Sequence, residues 1–321
     1  MYHVFSFKAF DCTISGMVDV GDNFVNSALL NIENSLQEEA KKFDKLCSRF
    51  DDESELSRIN QAIGYYTISE SLSELLVLAK DAYTQTNGIF DPTIAKALRG
   101  IGYNKSFSEI TSSDDKDLVG EDIIEKIKDT HNTRPKFSEL IIDKENSRVY
   151  MPDGMQIDLG GIAKGFWVDK MLQTVLVDYP VTWLSAGGDI YVRGADNFNN
   201  IGKISIQDPT DLTKDLLTCK IDWPEFGVAT SGVAKRRGRR NGKEWHHIIN
   251  PQTGLSAETD LLSATVFTKT TKDADVYAKT AIILGSQKAE EFLQNISNCE
   301  YVLINREQKI IHSPNLTITY V

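Results

Sequence analysis

The spacing of apolar residues separates helical segments of the chain from strands. Residues 2–20 alternate between apolar and polar positions, which predicts two antiparallel strands broken near Phe10-Asp11. From about residue 23 to residue 47 the apolar positions recur at helical spacing and form one stripe, so we predict a long helix there. A second helical stripe over residues 72–83 is stopped by Asn87-Gly88.

The second half of the chain is rich in strands. Residues 141–142 and 148–150 flank a short turn, and helical spacing returns at about 272–284 and 286–297. Further strand candidates lie at 201–207, 215–222, 226–230, 244–249, 261–268, 300–305, 308–312 and 316–320. Because strands and helices are segregated rather than strictly alternating, we predict an α+β fold with mostly antiparallel sheets.

The composition is that of an ordinary globular protein. The chain has 321 residues, of which 41% are apolar and 25% charged, so it has ample material for a buried core. One domain over residues 1–321 and two intimate subdomains are both compatible with this length. Residues 104–136 are polar and lack apolar periodicity, and we predict an exposed excursion there rather than a domain boundary.

Charge and hydropathy exclude several classes of partner. A formal net charge of -11 would repel nucleic acid or an anionic membrane surface over most of the protein, so any anion needs a local site. The chain has no apolar run long enough for a membrane span and no basic segment followed by an apolar one at its start. We therefore expect no membrane insertion and a cytoplasmic protein, although a chain trimmed of its export signal would look the same.

The cysteines indicate neither a disulfide framework nor a metal centre. All four lie far apart in the sequence and none has metal-ligand spacing, so structural thiols are expected. These residues are Cys12, Cys47, Cys219 and Cys299.

The segment Ile157–Gly165 carries the first candidate chemistry. An apolar pair runs into Gly160-Gly161, and helical spacing begins at Phe166, which predicts a strand, a tight turn and a helix N-terminus. Backbone N–H groups and the helix dipole at such a turn attract anions, and Lys164 adds a charge. The glycine spacing fits neither a dinucleotide turn nor a P-loop. A turn that only lets a helix and a strand pack closely is the alternative.

Further motifs follow one another in order along the chain, and the resemblance that they carry covers roughly residues 4–320. They are Ser54-Glu55-Leu56-Ser57-Arg58-Ile59-Asn60, Gly88-Ile89-Phe90-Asp91-Pro92-Thr93, Asp158-Leu159-Gly160-Gly161-Ile162-Ala163-Lys164-Gly165, Gly187-Gly188-Asp189-Ile190, Ala229-Thr230-Ser231-Gly232, His247-Ile248-Ile249-Asn250-Pro251-Gln252-Thr253-Gly254 and Ala274-Asp275 through Gly285. Taken together, they closely resemble the ApbE family of FAD:protein FMN transferases.

The resemblance implies a T-fold-like α+β architecture that binds FAD and Mg²⁺. Such an enzyme transfers the FMN half of FAD to a Ser or Thr hydroxyl of an acceptor flavoprotein, and AMP leaves. It also implies metal ligation by the backbone carbonyl of Ala163 and by Asp275, and oxygen ligands suit a hard octahedral cation. Without the other motifs, Asp275 would be interpreted as a helix N-terminal carboxylate favoured by the dipole.

Lys279 departs from the family pattern, which has Thr four residues after the metal-binding Asp. A charged ammonium cannot ligate Mg²⁺, and Thr280 lies about 100° around a regular helix. Three functional interpretations are open: water replaces one metal ligand, Lys279 itself serves as the cation on the phosphates, or the site no longer turns over. A simple helix pair between Asp275 and Lys279 is the structural alternative. We favour a retained but altered site.

The resemblance also assigns flavin and catalytic positions. Cofactor binding is expected of Phe50, Ile89, Phe90, Asp91, Asp158, Gly160, Lys164, Phe166, His247 and Ile249, and catalytic roles of His247, Asp275 and Lys279. His247 could contact FAD or assist proton transfer from the acceptor hydroxyl. A helix cap is the alternative for Asp91, and a core aromatic for Phe50. His246, next to His247, is expected to be incidental. Asn250 replaces the usual Asp while keeping a turn former.

The run Lys235–Lys243 is the one strongly basic patch of this acidic sequence. Asn241-Gly242 predicts the tip of a hairpin, so a solvated loop is the first interpretation. The alternative is that the run holds an acidic acceptor segment or the AMP phosphate.

Two rival functions follow from Lys279 and from the chemistry of the expected reaction. One is an FAD-binding or flavin-delivery protein without transferase activity. The other is a metal-dependent FAD pyrophosphatase, in which water replaces the acceptor hydroxyl.

Overall fold

The structure is a computed structural model that describes residues 1–21, 26–101, 103, 121–194, 203–234, 237–240 and 243–321. Side chains are not described at 26–30, 121–123, 126, 237–240 and 243–244. The basic side chains of the run Lys235–Lys243 and residues 104–120 of the predicted excursion therefore lie outside the described residues.

Helices form at each of the predicted apolar stripes, and three further helices form in the described part of the chain where no stripe was predicted. They are α1 (Asn26–Cys47), α2 (Glu55–Ile59), α3 (Glu70–Gln85), α4 (Ala95–Gly100), α5 (Glu121–Asn132), α6 (Ala163–Gln173), α7 (Thr271–Leu284) and α8 (Ser286–Gln294). Ser69 caps α3 by accepting the N–H of Leu72, and Gly285 ends α7 at a φ of 76°. None of the described helices is long and apolar enough to cross a membrane.

The strands also follow the predicted segments. They are β1 (Tyr2–Ala9), β2 (Cys12–Asp19), β3 (Gly64–Thr67), β4 (Ile141–Asp143), β5 (Arg148–Met151), β6 (Thr182–Ala186), β7 (Asp189–Arg193), β8 (Lys203–Gln207), β9 (Asp215–Lys220), β10 (Glu225–Gly232), β11 (Arg237–Arg240), β12 (Lys243–His246), β13 (Leu261–Thr268), β14 (Glu300–Asn305), β15 (Ile310–His312) and β16 (Thr317–Tyr320). The break between β1 and β2 is a turn at Phe10 and Asp11, both with φ 54°.

Every described strand pairing is antiparallel, which confirms the predicted α+β class. The strands form an eight-stranded sheet in the order β1-β2-β6-β7-β10-β13-β14-β15, two three-stranded sheets, β16-β9-β8 and β3-β5-β4, and the hairpin β11-β12. The hairpin strands flank Asn241-Gly242 as predicted, although those two residues lie outside the described part of the chain.

The chain divides into two compact units. Unit 1 comprises Met1–Lys41, Lys164–Ala234 and Thr259–Val321. Unit 2 comprises Lys42–Ala163 and Lys235–Glu258.

Unit 1 is built on the eight-stranded sheet. One apolar cluster joins buried residues of the sheet β16-β9-β8, such as Leu217, to Phe226 and Phe267 of β10 and β13. The helix α7 packs on β10 and β13 as well. Because these elements pack on β13, its sequence is nearly continuously apolar and the strand is buried along its length.

Two glycines of unit 1 let α7 approach its neighbours closely. A Cβ on Gly227 of β10 would lie 2.3 Å from the Thr271 nitrogen, and a Cβ on Gly165 of α6 would lie 2.6 Å from the Lys272 Cα. Since neither position has room for a side chain, Gly165 of the candidate anion turn has a packing role against α7.

The side chain of Asp169 fixes the start of α7. Its Oδ1 accepts the N–H of Thr271 at 2.7 Å and its Oδ2 accepts that of Lys272 at 3.0 Å. These are first-turn N–H groups of α7, which have no acceptor within their own helix. A buried residue of α6 thereby sets the position of the whole first turn of α7.

Unit 2 corrects two expectations. The predicted strand before Gly160-Gly161 is absent: both backbone groups of Ile157 pair instead with the side-chain amide of Asn60, at 2.7 and 2.8 Å. Residues 121–136 are not an exposed excursion either, because α5 forms there and buries Ile127 against α4 and His131 beneath the 250–254 turn. Long-range contacts, rather than local pattern, decide both segments.

The pH dependence of stability should report on Asp169. Burial raises the pKa of this carboxyl from 3.8 to about 6, against the lowering effect of its N–H partners. Because the folded-state pKa exceeds the unfolded one, the group's contribution is fully present below about pH 4 and is lost as the pH rises through about 6.

We therefore expect the free energy of unfolding of the wild type, minus that of Asp169→Asn, to fall by about 3 kcal/mol between about pH 4 and about pH 7. Urea unfolding of both proteins across this range measures the difference, in which the titration of all other groups cancels. A difference that is constant, or that grows with pH, contradicts the assigned shift.

Candidate functional site

The predicted site residues divide between the two units. Unit 1 contains Lys164, Phe166, Asp275 and Lys279, and unit 2 contains Phe50, Ile89, Phe90, Asp91, Asp158, Gly160, Ala163, His247 and Ile249.

In unit 2, Asp158 is a buried junction. Its Oδ2 accepts the Nε–H of Arg49 at 2.8 Å, and its Oδ1 accepts the N–H of Gly160 at 2.8 Å. Its own N–H donates to the carbonyl of Pro92, also at 2.8 Å. One carboxylate thus joins the Gly160 turn, the Asp91-Pro92 turn and the segment after α1.

The same junction carries a small aromatic cluster. The guanidinium carbon of Arg49 lies 4.1 Å from the ring centroid of Phe50 and 4.4 Å from that of Tyr103. Tyr103 also meets the ring of His247 edge-on, at 6.1 Å between centroids. Phe50 is 41% exposed, so it is not the core aromatic that was its structural alternative.

Asp91 is fully engaged within the protein. Its Oδ1 accepts the N–H and hydroxyl of Thr93 at 2.8 and 2.6 Å, and its Oδ2 pairs with Arg134 at 2.8 Å. The capping role, the alternative to ligand binding, is therefore present. Its neighbour Phe90 is buried, whereas Ile89 is partly exposed.

Arg134 and His131 form a clamp between two turns that carry predicted flavin positions. Arg134 donates to Asp91, to Thr93 at 2.9 Å and to the carbonyl of Pro251 at 3.0 Å. The Nε2–H of His131 donates to the same carbonyl at 2.7 Å. Burial lowers the pKa of His131, so the ring is neutral in this bond. The clamp ties the Asp91 turn to the 250–254 turn.

The histidine pair behaves as its strand position predicts. His246 is buried and its Nε2 bonds the carbonyl of Ala257 at 2.9 Å, a structural role. His247 is half-buried beside Tyr103, and Ile249 is buried. Asn250 keeps the turn, since its side-chain oxygen accepts the N–H of Gln252 at 2.8 Å.

In unit 1, Lys164 forms an ion pair with the buried carboxylate of Asp189, the acid of the second Gly-Gly turn. Phe166 is buried under the ammonium of Lys170, which lies 5.3 Å from its ring centroid. In unit 2, the N–H groups of Gly160, Ile162 and Ala163 all have acceptors within the protein. The ammonium of Lys164 is therefore better able to bind an anion than those three backbone N–H groups.

Asp275 is one of two buried acids of unit 1 that keep an unpaired oxygen in the described part of the chain, the other being Glu300. Asp275 is 6% exposed, and its buried Oδ2 has no hydrogen-bond partner among the residues that the structure describes. It lies one turn beyond Lys272, where Gly165 and Asp169 of α6 meet α7. An unpaired buried carboxylate oxygen is costly, so its position favours a cation that enters with a ligand.

Lys279 does not neutralise that carboxylate. Neither an ion pair nor a hydrogen bond joins Lys279 to Asp275 in the described part of α7, which removes the structural alternative of a simple helix pair. Thr280 is fully buried and donates its hydroxyl to the carbonyl of Val276 at 2.8 Å, so it does not replace the missing Thr. The described residues contain no cluster of three His, Cys, Asp or Glu side chains suited to a metal.

Sequence reasoning did not find Arg49, Tyr103, His131, Arg134 or the pairing partner Asp189 of Lys164. Arg49 was detectable as the residue beside Phe50, and Asp189 as the acid after the second Gly-Gly pair. His131 and Arg134 gave no signal, because they lie in a polar stretch without periodicity. The four cysteines are free thiols, as expected, and burial raises the pKa of Cys219 to about 12.

The antiparallel sheets and packed helices define an α+β protein; α7 of unit 1 carries a buried acid with an unpaired oxygen, and unit 2 carries an exposed aromatic ring beside a buried cation. The sequence profile of the ApbE family matches residues 6–303, and the chain belongs to that family.

Related proteins cover most of the chain. It is 24% identical over 281 residues to the FAD:protein FMN transferase of Escherichia coli K12. The aligned region covers 85% of this chain and 76% of that protein. Identity to the FAD:protein FMN transferase of Treponema pallidum is 27% over 309 residues, or 89% and 79% of the two chains.

Solved structures show the same fold. The ApbE protein of Thermotoga maritima superposes with a TM-score of 0.82 at 22% identity, covering 98% of this chain and 97% of that one. The flavin transferase ApbE of Vibrio cholerae gives a TM-score of 0.79 at 19% identity, covering 98% of both chains. These likenesses confirm the expected ApbE-like architecture.

The clamp predicts an unequal response to one conservative substitution. Arg134→Lys removes the fork that reaches Asp91, Thr93 and Pro251 and should lower the free energy of unfolding by about 2 kcal/mol. Arg148→Lys is the matched control in the same unit, because Arg148 pairs with Asp143 while 41% exposed and should cost less than about 0.5 kcal/mol. Urea unfolding gives both values, and equal losses would contradict the clamp.

Proposed function

We propose that this protein is an FAD:protein FMN transferase, which moves FMN from FAD to a Ser or Thr hydroxyl of an acceptor flavoprotein and releases AMP. Membership of the ApbE family and relatives of that name over most of the chain support the proposal. Asp275 carries it on structural grounds: a buried carboxylate oxygen without a partner has a use where a cation and a phosphate ester arrive together.

The proposed reaction displaces one phosphate oxygen by another. The acceptor hydroxyl forms a bond to the FMN-side phosphorus, the bond from that phosphorus to the bridging oxygen breaks, and AMP leaves with that oxygen. The hydroxyl proton passes to a base, for which His247 is the candidate because its ring is half-buried and imidazole is the side chain most often used as a general base. Positioning and charge neutralisation contribute most to such transfers.

Lys164 has a defined role in this scheme. Its ammonium is held by the Asp189 carboxylate, which fixes a long flexible side chain before the substrate arrives. A cation that is already ordered stabilises charge developing on a phosphate with little reorganisation. In the proposal, Gly160 and Phe166 of this turn contribute to FAD binding. Asp158 and Asp91 hold their turns in position through contacts within the protein.

The residues fit Mg²⁺ at Asp275. Its free oxygen is a hard donor, and the expected second protein ligand, the carbonyl of Ala163, is a donor of the same kind. When bound, the ion would offset charge on the pyrophosphate. Substrate oxygens and water would supply the further oxygen ligands that such an ion takes.

Lys279 alters this site rather than abolishing it, in our proposal. Its ammonium is half-buried, stands one turn after Asp275 and is not paired with it. Water takes the ligand position that Thr occupies in the family. The ammonium lies on the same face of α7 and adds positive charge for the substrate phosphates.

Mass measurement after incubation tests the proposed reaction. With FAD, Mg²⁺ and an acceptor flavoprotein domain, we expect the acceptor to gain the mass of FMN with release of one AMP. Removal of Mg²⁺ with a chelator, and Asp275→Asn, should each lower the rate at least about 100-fold. AMP and FMN without a gain in mass would indicate a pyrophosphatase, and retained flavin with neither product would indicate a binding protein.

The rate as a function of Mg²⁺ concentration tests the altered site. Lys279→Thr restores an oxygen ligand, so half-maximal activity should require about tenfold less Mg²⁺ than in an already active wild type. Lys288→Thr is the matched control, because it removes the same charge from an exposed position on α8. If only Lys279→Thr is active, the wild-type site does not turn over and the proposal of a retained site is wrong.

A further inference from the structure

We propose that Arg49 is a flavin-binding residue, whose Nη2 donates a hydrogen bond to a carbonyl oxygen of the isoalloxazine ring. The inference rests on the proposed function, since it takes FAD as the ligand, and it assigns a direct contact to a side chain outside the positions that the ApbE resemblance implies. The observations that carry it all lie within unit 2.

Arg49 has one donor group that is buried and unused. Its side chain is 9% exposed, and Nη2 has no acceptor among the residues that the structure describes. The other guanidinium nitrogens are occupied: Nε donates to Asp158 at 2.8 Å and Nη1 donates to the carbonyl of Tyr103 at 2.8 Å. A buried donor on a cation is seldom left without an acceptor, so a ligand atom is the natural partner.

The pairing with Asp158 explains why Nη2 is left over. A carboxylate can accept both prongs of an arginine fork, but here the second oxygen of Asp158 accepts the N–H of Gly160 at 2.8 Å. The ion pair is therefore made through a single nitrogen. The arrangement holds the guanidinium in place and leaves the Nη2 amino group available for another acceptor.

The surroundings select an aromatic ligand over a phosphate. The guanidinium carbon of Arg49 lies 4.1 Å from the ring centroid of Phe50 and 4.4 Å from that of Tyr103, and these apolar rings favour a flat ligand with a neutral acceptor. Phe50, whose ring lies 4.1 Å from the guanidinium carbon, is 41% exposed and offers an apolar face beside the free donor. The isoalloxazine ring combines both features, because it is flat and apolar with two carbonyl oxygens at one end.

Binding of flavin fragments tests the contact. In Arg49→Lys the ammonium keeps the charge beside Asp158 but lacks the fork, so affinity for riboflavin and for FAD should fall by the same factor, about tenfold, while affinity for ADP is unchanged. Titration calorimetry with riboflavin, FAD and ADP measures all three. Arg58→Lys, an exposed arginine of the same unit, is the matched control and should leave every affinity as it is.

A measurement on the wild type keeps the proposal testable if the variant does not fold. Riboflavin analogues with sulfur in place of the C2 or the C4 carbonyl oxygen should show one analogue bound about tenfold more weakly, because sulfur is a poorer acceptor. Equal binding of riboflavin and both analogues overturns the contact. Loss of ADP affinity with unchanged riboflavin affinity in Arg49→Lys also overturns it and assigns Nη2 to the pyrophosphate. A wild type that binds neither FAD nor riboflavin refutes the proposed function itself, and with it this contact.

Discussion

The carboxylate of Asp169 is the contact on which the arrangement of unit 1 depends. By accepting two N–H groups at the start of α7, it fixes that helix against α6 at a distance that only Gly165 permits. The position of Asp275, one turn further along α7, follows from this constraint. The burial that raises the pKa of Asp169 also shows that the junction excludes water, which strengthens every electrostatic interaction near it.

Buried acids in this protein are used in two ways. Asp91, Asp158, Asp169 and Asp189 each bond a cation, backbone N–H groups or both, so their charges are compensated and they hold turns and helices in place. Asp275 is equally buried, but one of its oxygens is left without a partner in the described chain. Glu300 of β14 is the other buried acid with an oxygen, Oε2, that has no partner among the described residues, although its Oε1 accepts the side-chain amide of Asn315 at 2.9 Å. Asp275 differs from Glu300 because it lies in one of the motifs shared with the ApbE family, and this favours a ligand over loose packing.

Sequence periodicity predicted the helices α1, α3, α6, α7 and α8 and most strands, because burial of one face leaves a regular trace in each of those segments. The failures are segments held by side chains from elsewhere. The segment around Ile157 is extended without a strand partner because Asn60 supplies both hydrogen bonds, and a single amide leaves no pattern. The polar stretch before residue 136 contains α5, whose few buried residues, among them Ile127 and His131, contact α4 and the turn at Pro251.

Motif order predicted the family and the candidate site, but it could not predict which residues are already engaged. Asp91 and Asp158 carry the right chemistry for a ligand, yet their oxygens are taken by Arg134, Thr93, Arg49 and Gly160. Arg49, which no motif singled out, retains a free donor. The distinction between a residue that binds and a residue that positions depends on unsatisfied hydrogen-bonding capacity, and this is a property of three-dimensional contacts. Several described residues keep a buried polar atom without a partner; among the charged ones, Asp275 and Arg49 lie at or next to a predicted ligand position, whereas Glu300 does not.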